Sequence, residues 1–379
     1  MENQMLLYIT GSYPEYQEGI ASGAKVLLDA MAQVIGRDRI ILLTTDTPII
    51  TNSIKKNTVV EYTLMKNWKV NRINIENIEA ILDKYPISTV HMEYPGDLYG
   101  KTFLASLLPW VIHRYNKKHN RNITVNVRLH EFSRARMLRK IAILPLLQAD
   151  RIYVPGQRDR NIVAKMGKTR VKKTIIGTNI MIVPTEEDIK KENKQLVVSY
   201  FGAVYPGKGI EKMLYIWKKL KDQNSDVRFS FKLIGGLGSE KDYHKTVWKL
   251  IDSLGLRDVI EVTGFLPEKD VSREIQKSSV ATLFYEDGLT LRRGSFLAYL
   301  AHGIPIVTTT GDDECKEMFS NHPGIAMADN DFDIIQAINK YLQLSDKERE
   351  SIKMDNTDLS RSFNWDTIAR TFLSDYKMI

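Results

Sequence analysis

The chain has 379 residues, of which 43% are hydrophobic and 26% charged. That is too long for one small core and too apolar for a disordered protein, and it fits two α/β domains of ordinary size. A single cysteine, Cys315, excludes an internal disulfide framework and a structural zinc site, and fits a reducing, cytoplasmic setting.

The opening MENQMLLYIT lacks a basic stretch followed by a long apolar core, so it does not read as a signal peptide. It continues as a short buried strand (5–10) ending at Gly11. A loop, GSYPEYQEGIASG, leads to a helix over 24–35 and a second strand over 39–45. Strands follow at 88–94, 123–129, 151–155 and 172–177, with helices at 75–84, 101–119, 134–148 and 157–166 between them. This alternation predicts a parallel sheet with right-handed crossovers. The apolar stretch 102–112 is shorter than the roughly 20 residues a membrane span needs and runs into His113 and Arg114. His91 and Glu93 read either as satisfied polar groups at a strand end, the favoured reading, or as groups facing the cleft.

Charge is unevenly placed. The net value is +8, with 9 Lys/Arg against 12 Asp/Glu in residues 1–100 and 18 against 3 in residues 101–180. The basic block includes Arg114, Lys117, Lys118, Arg121, Arg134, Arg136, Arg139 and Lys140. It reads either as a solvated face or as a surface for an anionic partner, membrane headgroups or nucleic acid.

The polar, proline-bearing segment 181–195 reads as a linker between a first domain (1–180) and a second (196–363). The second domain repeats the strand–helix pattern, with strands at 196–202, 229–236, 259–265, 279–285 and 304–310 and helices at 211–222 and 243–255. Tyr215, Trp217 and the aromatics of 243–248 read as core. Two α/β units of similar size predict twin Rossmann-like domains with ligands at the carboxyl ends of the strands, in a cleft between them. The C-terminal stretch 362–379 reads as an amphipathic helix that buries Phe363, Trp365, Ile368, Phe372 and Tyr376.

Two stretches carry the chemistry. In Gly202-Ala203-Val204-Tyr205-Pro206-Gly207-Lys208-Gly209, a strand ends in glycine and a loop presents one lysine just before a helix. Glycines let backbone N–H groups approach an anion, the helix N-terminus favours negative charge, and lysine adds a point charge. In 284–310 a strand leads to Glu286-Asp287-Gly288, then to Arg292-Arg293-Gly294-Ser295 at a helix start, and then to Gly303-Ile304-Pro305. Paired guanidinium forks beside a helix N-terminus match a diphosphate. His113, His244, His302 and His322 show no metal-ligand spacing, and no GxSxG elbow occurs.

Together these stretches resemble the second domain of the large retaining glycosyltransferase group with the GT-B architecture. The group binds its donor diphosphate through a G-R-x-x-x-x-K-G-like loop. Gly202, Gly207 and Lys208 match that loop, with Ala203 in place of the arginine. Gly235 and Gly236 look like the group's glycine turn under the nucleotide, and Phe265-Leu266 like its base-contacting strand end. Glu286, Asp287, Gly288, Thr290 and Ser295 fall in the donor-sugar stretch, where the group's two glutamates are replaced by Thr290 and Ala298. The order D-G-x-x-x-R-R-G-S resembles a variant subset, so Arg292 or Arg293 is expected to replace the missing arginine electrostatically. In the first domain Gly19 and Gly23 resemble the glycine loop facing the diphosphate. His130 is similar to the histidine near the donor sugar, Gly177-Thr178-Asn179-Ile180 to the interdomain turn, and residues 364–379 to the helix that packs back on the first domain.

The resemblance implies a retaining transfer from a nucleoside-diphosphate sugar, UDP or GDP, to a lipid-linked or saccharide acceptor. The expected catalytic residues are His130, Lys208, Arg292 and Arg293, with no bound cofactor and no metal. The basic block 101–180 would dock on an anionic membrane, and nucleic acid is not an expected partner. Two other readings stay open: a non-catalytic nucleotide-sugar binding protein, and a glycosyltransferase acting on DNA.

Overall fold

The first strands are continuous apolar runs because both faces of their sheet are covered. MLLYIT and IILLTT are buried along almost their whole length, as a parallel sheet between two helical layers requires. The computed structural model describes residues 4–13, 19–94, 99–100, 102–130, 141, 143–166, 171–173, 184, 196–223, 229–238 and 240–379. The chain divides into two compact units: Met1–Asn179 with Asn364–Ile379, and Ile180–Phe363.

The first unit runs β1 (Met5–Thr10), α1 (Gly19–Ile35), β2 (Ile40–Thr45), α2 (Pro48–Asn57), β3 (Glu61–Met65), α3 (Arg72–Lys84), β4 (Ile87–Tyr94), α4 (Leu104–His119), β5 (Thr124–Leu129), β6 (Arg151–Val154), α5 (Gln157–Lys165) and β7 (Val171–Lys173). The seven strands order as β3-β2-β1-β4-β5-β6-β7, and every pairing among the described residues is parallel. The direction of winding reverses between β1 and β4. In α/β sheets ligands bind at such switch points, beyond the carboxyl ends of the strands.

The second unit runs β8 (Leu196–Phe201), α6 (Ile210–Gln223), β9 (Phe229–Ile234), α7 (Asp242–Ser253), β10 (Ile260–Val262), α8 (Glu268–Gln276), β11 (Val280–Leu283), α9 (Gly294–Ala301), β12 (Ile306–Thr308), α10 (Asp313–Phe319), β13 (Ile325–Met327), α11 (Asp331–Leu342) and α12 (Asp346–Ser360). Its six strands order as β10-β9-β8-β11-β12-β13, again parallel, with the switch point between β8 and β11. The last helix, α13 (Trp365–Asp375), belongs to the first unit. Its stripe Ile368, Ala369, Phe372 and Leu373 joins the core made by Leu6, Tyr8, Leu27 and Met31.

The structure departs from the sequence expectations at several places. Helix α1 begins at Gly19, so Gly19 and Gly23 lie in its first turns and not in a loop. Packing of the apolar face of α1 on β1 and α13 outweighs the helix cost of two glycines. Helix α2 and strand β3 have no counterpart in the expected elements. Thr47 caps α2 through its side chain, accepting the Ile50 N–H at 3.2 Å. The end of the helix expected over 134–148 is a short 3-10 turn, Leu144–Gln148, and residues 131–140 lie outside the described residues. The linker, Pro184 apart, and the turn 177–180 also lie outside them. Trp217 is buried and stacks on Phe231 at 4.8 Å, whereas Tyr215 is half exposed on the opposite side of α6 and is not core.

Candidate functional site

At the switch point of the second unit, two strand-end glycines back onto each other. Gly202 follows β8 and Gly235 follows β9. Gly235 has φ +150°, and a β-carbon on it would lie 2.4 Å from the Gly202 carbonyl oxygen. The loop then turns through Gly207 (φ +89°) and Gly209 (φ +67°) into α6. A β-carbon on Gly209 would lie 1.5 Å from the Phe284 carbonyl oxygen, so only glycine lets this loop lie on the end of β11. The Glu286 N–H donates to the Gly207 carbonyl at 3.4 Å, tying the two predicted stretches together.

Tyr285 is the hub of the site. Its ring, buried after β11, carries the Lys208 ammonium 5.7 Å from its centroid and the Arg293 guanidinium 4.3 Å away. Its hydroxyl pairs with Ser295 Oγ at 2.7 Å in the first turn of α9. Burial pushes the phenol above its ordinary range, so it is neutral near pH 7. Arg293 stands at the N-cap position of α9 without a side-chain cap bond and forms an ion pair with Asp287, while its buried Nε has no hydrogen-bond partner among the described residues. Lys208 also lies 4.8 Å from the Tyr205 ring. Two of the four residues expected to be catalytic thus meet on one aromatic ring. Arg292 is half-buried just ahead of α9.

Beside this hub is a recess of about 770 Å³, formed where β11, β12 and β13 end and α6 begins. Of the expected residues, Glu286, Asp287 and Gly288 line it, together with Gly209. Gly288 (φ +79°) turns the chain there, with the Thr310 carbonyl oxygen 2.6 Å from where a β-carbon would sit. The Thr290 carbonyl accepts the Arg293 N–H at 3.1 Å. On the other side of β8 the Phe265 ring is 91% exposed. Its edge lies over Gly236, where a β-carbon would come within 2.3 Å of Cε2. Leu266 beside it is half-buried.

His244, read from the sequence only as lacking metal-ligand spacing, braces the candidate site. Its Nδ1 accepts the Gly238 N–H at 3.1 Å and its Nε2 donates to the Val204 carbonyl at 2.9 Å. The ring therefore braces the glycine turn after β9 against the Gly202–Gly209 loop. Its one sequence signal was a polar residue in the buried stripe His244, Val247, Ile251 of α7.

In the first unit, polar groups gather at the β1/β4 switch point. Strand register sets Thr10 and Arg128 on either side of Glu93. Glu93 is fully buried, and its carboxylate takes Tyr8 OH at 3.0 Å, His91 Nε2 at 3.1 Å, Arg128 Nη1 at 3.2 Å and a short bond from His130 Nε2. Burial alone would raise the Glu93 carboxyl. The Arg128 guanidinium, the His130 ring and the hydrogen bonds from both histidines outweigh it and hold the group well below the usual carboxylate range. Burial lowers His91 and keeps it neutral. His130 continues β5, its N–H donating to the Tyr94 carbonyl at 3.1 Å, and its side chain is 12% exposed. His91 and Glu93 are thus satisfied at a strand end, and Glu93 also holds the expected site histidine.

On the outer side of α4, Phe103, Trp110, Arg114, Lys117 and Lys118 are exposed, with Arg114 over the Trp110 ring at 5.7 Å. Arg121 instead turns inward and donates to the Ile87 carbonyl at 3.0 Å. Arg134, Arg136, Arg139 and Lys140 lie outside the described residues. Among the described residues no helix is long and apolar enough to cross a membrane, and no three His, Cys, Asp or Glu side chains are grouped to hold a metal ion.

Residues 184–356 match the family described as "Glycosyl transferases group 1". No curated protein matches the chain in sequence. Among solved structures, the chain is similar in fold to Alr3699/HepE of Anabaena in complex with UDP, at 15% identity, with TM-score 0.72 over 99% of this chain and 100% of that one. It is similar to a glycosyltransferase from Rickettsia africae ESF-5 at 13% identity, with TM-score 0.72 over 100% and 99% of the two chains. It is also similar to the lipopolysaccharide outer core galactosyltransferase WaaB at 10% identity, with TM-score 0.64 over 99% and 100%. These likenesses run the whole length of both units. The chain therefore has the twin Rossmann-like GT-B fold, and the part that matches the group 1 glycosyltransferase family, residues 184–356, lies in its second unit.

Proposed function

We propose that the protein transfers a sugar from a nucleoside-diphosphate sugar to an acceptor, with retention of configuration and without a divalent metal. The observation that carries this reading is the meeting of Lys208 and Arg293 on Tyr285 at the β8/β11 switch point, beside two glycine turns. As the glycosidic bond breaks, negative charge grows on the leaving diphosphate. Fixed cations aimed at that charge lower the barrier because they act mainly in the transition state. The Arg293 Nε, without a hydrogen-bond partner among the described residues, is a buried donor that an anion would satisfy. Arg293 takes the place of the arginine the family carries at Ala203, and Arg292 flanks it.

The remaining donor contacts belong to the same proposal. Phe265, exposed on Gly236, offers a platform for the base, with Leu266 at its edge. Glu286 and Asp287 line the recess that would take the sugar hydroxyls. UDP is the favoured nucleotide, supported by the solved HepE complex with UDP. The resemblance gives His130 the transferred sugar as its ligand, with the free N–H groups of the first turn of α1, at Gly19, adding backbone donors and Gly23 one turn behind them. The acceptor is a lipid-linked saccharide. The exposed Phe103, Trp110, Arg114, Lys117 and Lys118 of the first unit support a peripheral site on an anionic membrane, and WaaB, of like fold, is a lipopolysaccharide enzyme by its description.

The test is release of nucleoside diphosphate from UDP- and GDP-sugars with EDTA present and absent. Turnover on one donor, unchanged by EDTA, is expected. Nucleotide binding with no turnover on any donor or lipid acceptor would favour a non-catalytic binding protein, and loss of turnover in EDTA would end the metal-free reading.

A further inference from the structure

The acceptor set around Glu93 is asymmetric. Oε1 faces three donors, Arg128 Nη1, His91 Nε2 and Tyr8 OH, whose one proton is shared with the Ala24 carbonyl at 2.9 Å. Oε2 faces His130 Nε2. An ionised carboxylate only accepts, so both histidines must donate to it. For His91 the network assigns the tautomer completely: Nε2–H goes to Glu93, and Nδ1 accepts the Tyr376 hydroxyl proton at 2.6 Å. Tyr376 and Phe372 of the C-terminal segment close this cluster, Phe372 meeting the His91 ring edge-on at 5.1 Å and the Arg128 guanidinium at 5.7 Å.

We propose that Glu93 is a positioning residue for the transfer reaction: it holds the Nε2 proton of His130, fixing that ring's tautomer and angle so that Nδ1 is the atom presented to ligand. This rests on the reading of His130 as the sugar-side histidine. A buried carboxylate on one ring nitrogen decides what the other can do, and an imidazole in the wrong tautomer loses its role even where its position is kept. The carboxylate is itself immobile, since the donors on Oε1 leave it no rotation that keeps them all. The cluster reaches from β1 through β4 and β5 to the C-terminal segment, so the orientation of His130 is set by the whole switch point.

The test is the ¹⁵N signature of the His130 imidazole at pH 8, assigned by its loss in His130→Gln, in wild type and in Glu93→Gln. In wild type Nε2 should carry a proton. In Glu93→Gln the three donors on the Oε1 side should hold the amide oxygen, turning the NH₂ group to His130 and moving its proton to Nδ1. Turnover should fall about 10-fold or more with UDP affinity within twofold of wild type. A bare Nε2 in wild type overturns the proposal even if the variant does not fold. So does a Glu93→Gln variant that keeps the Nε2 proton, or one whose turnover stays within twofold. Absence of turnover in wild type with every donor sinks the transferase reading instead, and the tautomer in the two proteins still decides the role of Glu93.

Discussion

Gly209 shows how a single residue shapes the candidate site. It has φ +67°, and a side chain there would overlap the Phe284 carbonyl. Gly209→Ala must shift either the loop or the end of β11, at a cost of about 2–5 kcal/mol from backbone strain and overpacking together. Chemical denaturation should read that loss, and a variant within 1 kcal/mol of wild type would mean the loop relaxes freely. Lys208 and Arg293 differ in kind from Gly209. Neither holds up the core, so Lys208→Ala and Arg293→Ala should change nucleotide affinity far more than stability. These residue identities were legible in the sequence, since the loop and the arginine pair stood out as a phosphate pattern. Tyr285, on which both cations meet, was not, because an aromatic at a strand end has no spacing signature until its neighbours from other segments are in place.

At the scale of elements, the strands of both sheets were the most legible part of the chain. Continuous apolar runs such as MLLYIT and IILLTT leave few alternatives to a buried parallel strand. Legibility failed where tertiary packing overrides local preference. Helix α1 begins on two glycines, and α2 is a polar helix held by the Thr47 cap. Helix α13 was legible from its stripe, and its packing gives a direct prediction. Phe372 is 1% exposed, so Phe372→Ala should cost about 3–5 kcal/mol by cavity formation, read by denaturation of the intact chain. At the end of α9, His302 gives a pH test. Its Nδ1–H donates to the Ala298 carbonyl, its Nε2 accepts from Ser272, and burial lowers it to about 4 from 6.5. Between those values the unfolded chain binds a proton that the folded one refuses, so stability is full above about pH 6.5 and falls as pH drops toward 4. The loss is about 3 kcal/mol. His302→Gln should remove about that much of the pH dependence of unfolding, and an unchanged slope would show that the ring titrates normally.

At the scale of the whole molecule, the proposed reading gives the second unit the donor diphosphate and base, and the first unit both His130 and the basic, partly apolar face of α4. Replacing Arg114, Lys117 and Lys118 with Gln should weaken binding to anionic vesicles roughly a hundredfold, at about 1 kcal/mol per charge, with UDP affinity unchanged. Equal binding by wild type and variant would place the contact elsewhere. The central claim is that Lys208 and Arg293 form the diphosphate site, and calorimetric titration of UDP into wild type, Lys208→Ala and Arg293→Ala tests it most directly. Saturable binding in wild type, weakened at least about tenfold in each variant, is the predicted result. Wild-type affinity in both variants, or no binding of UDP or GDP by the wild-type protein, would contradict it.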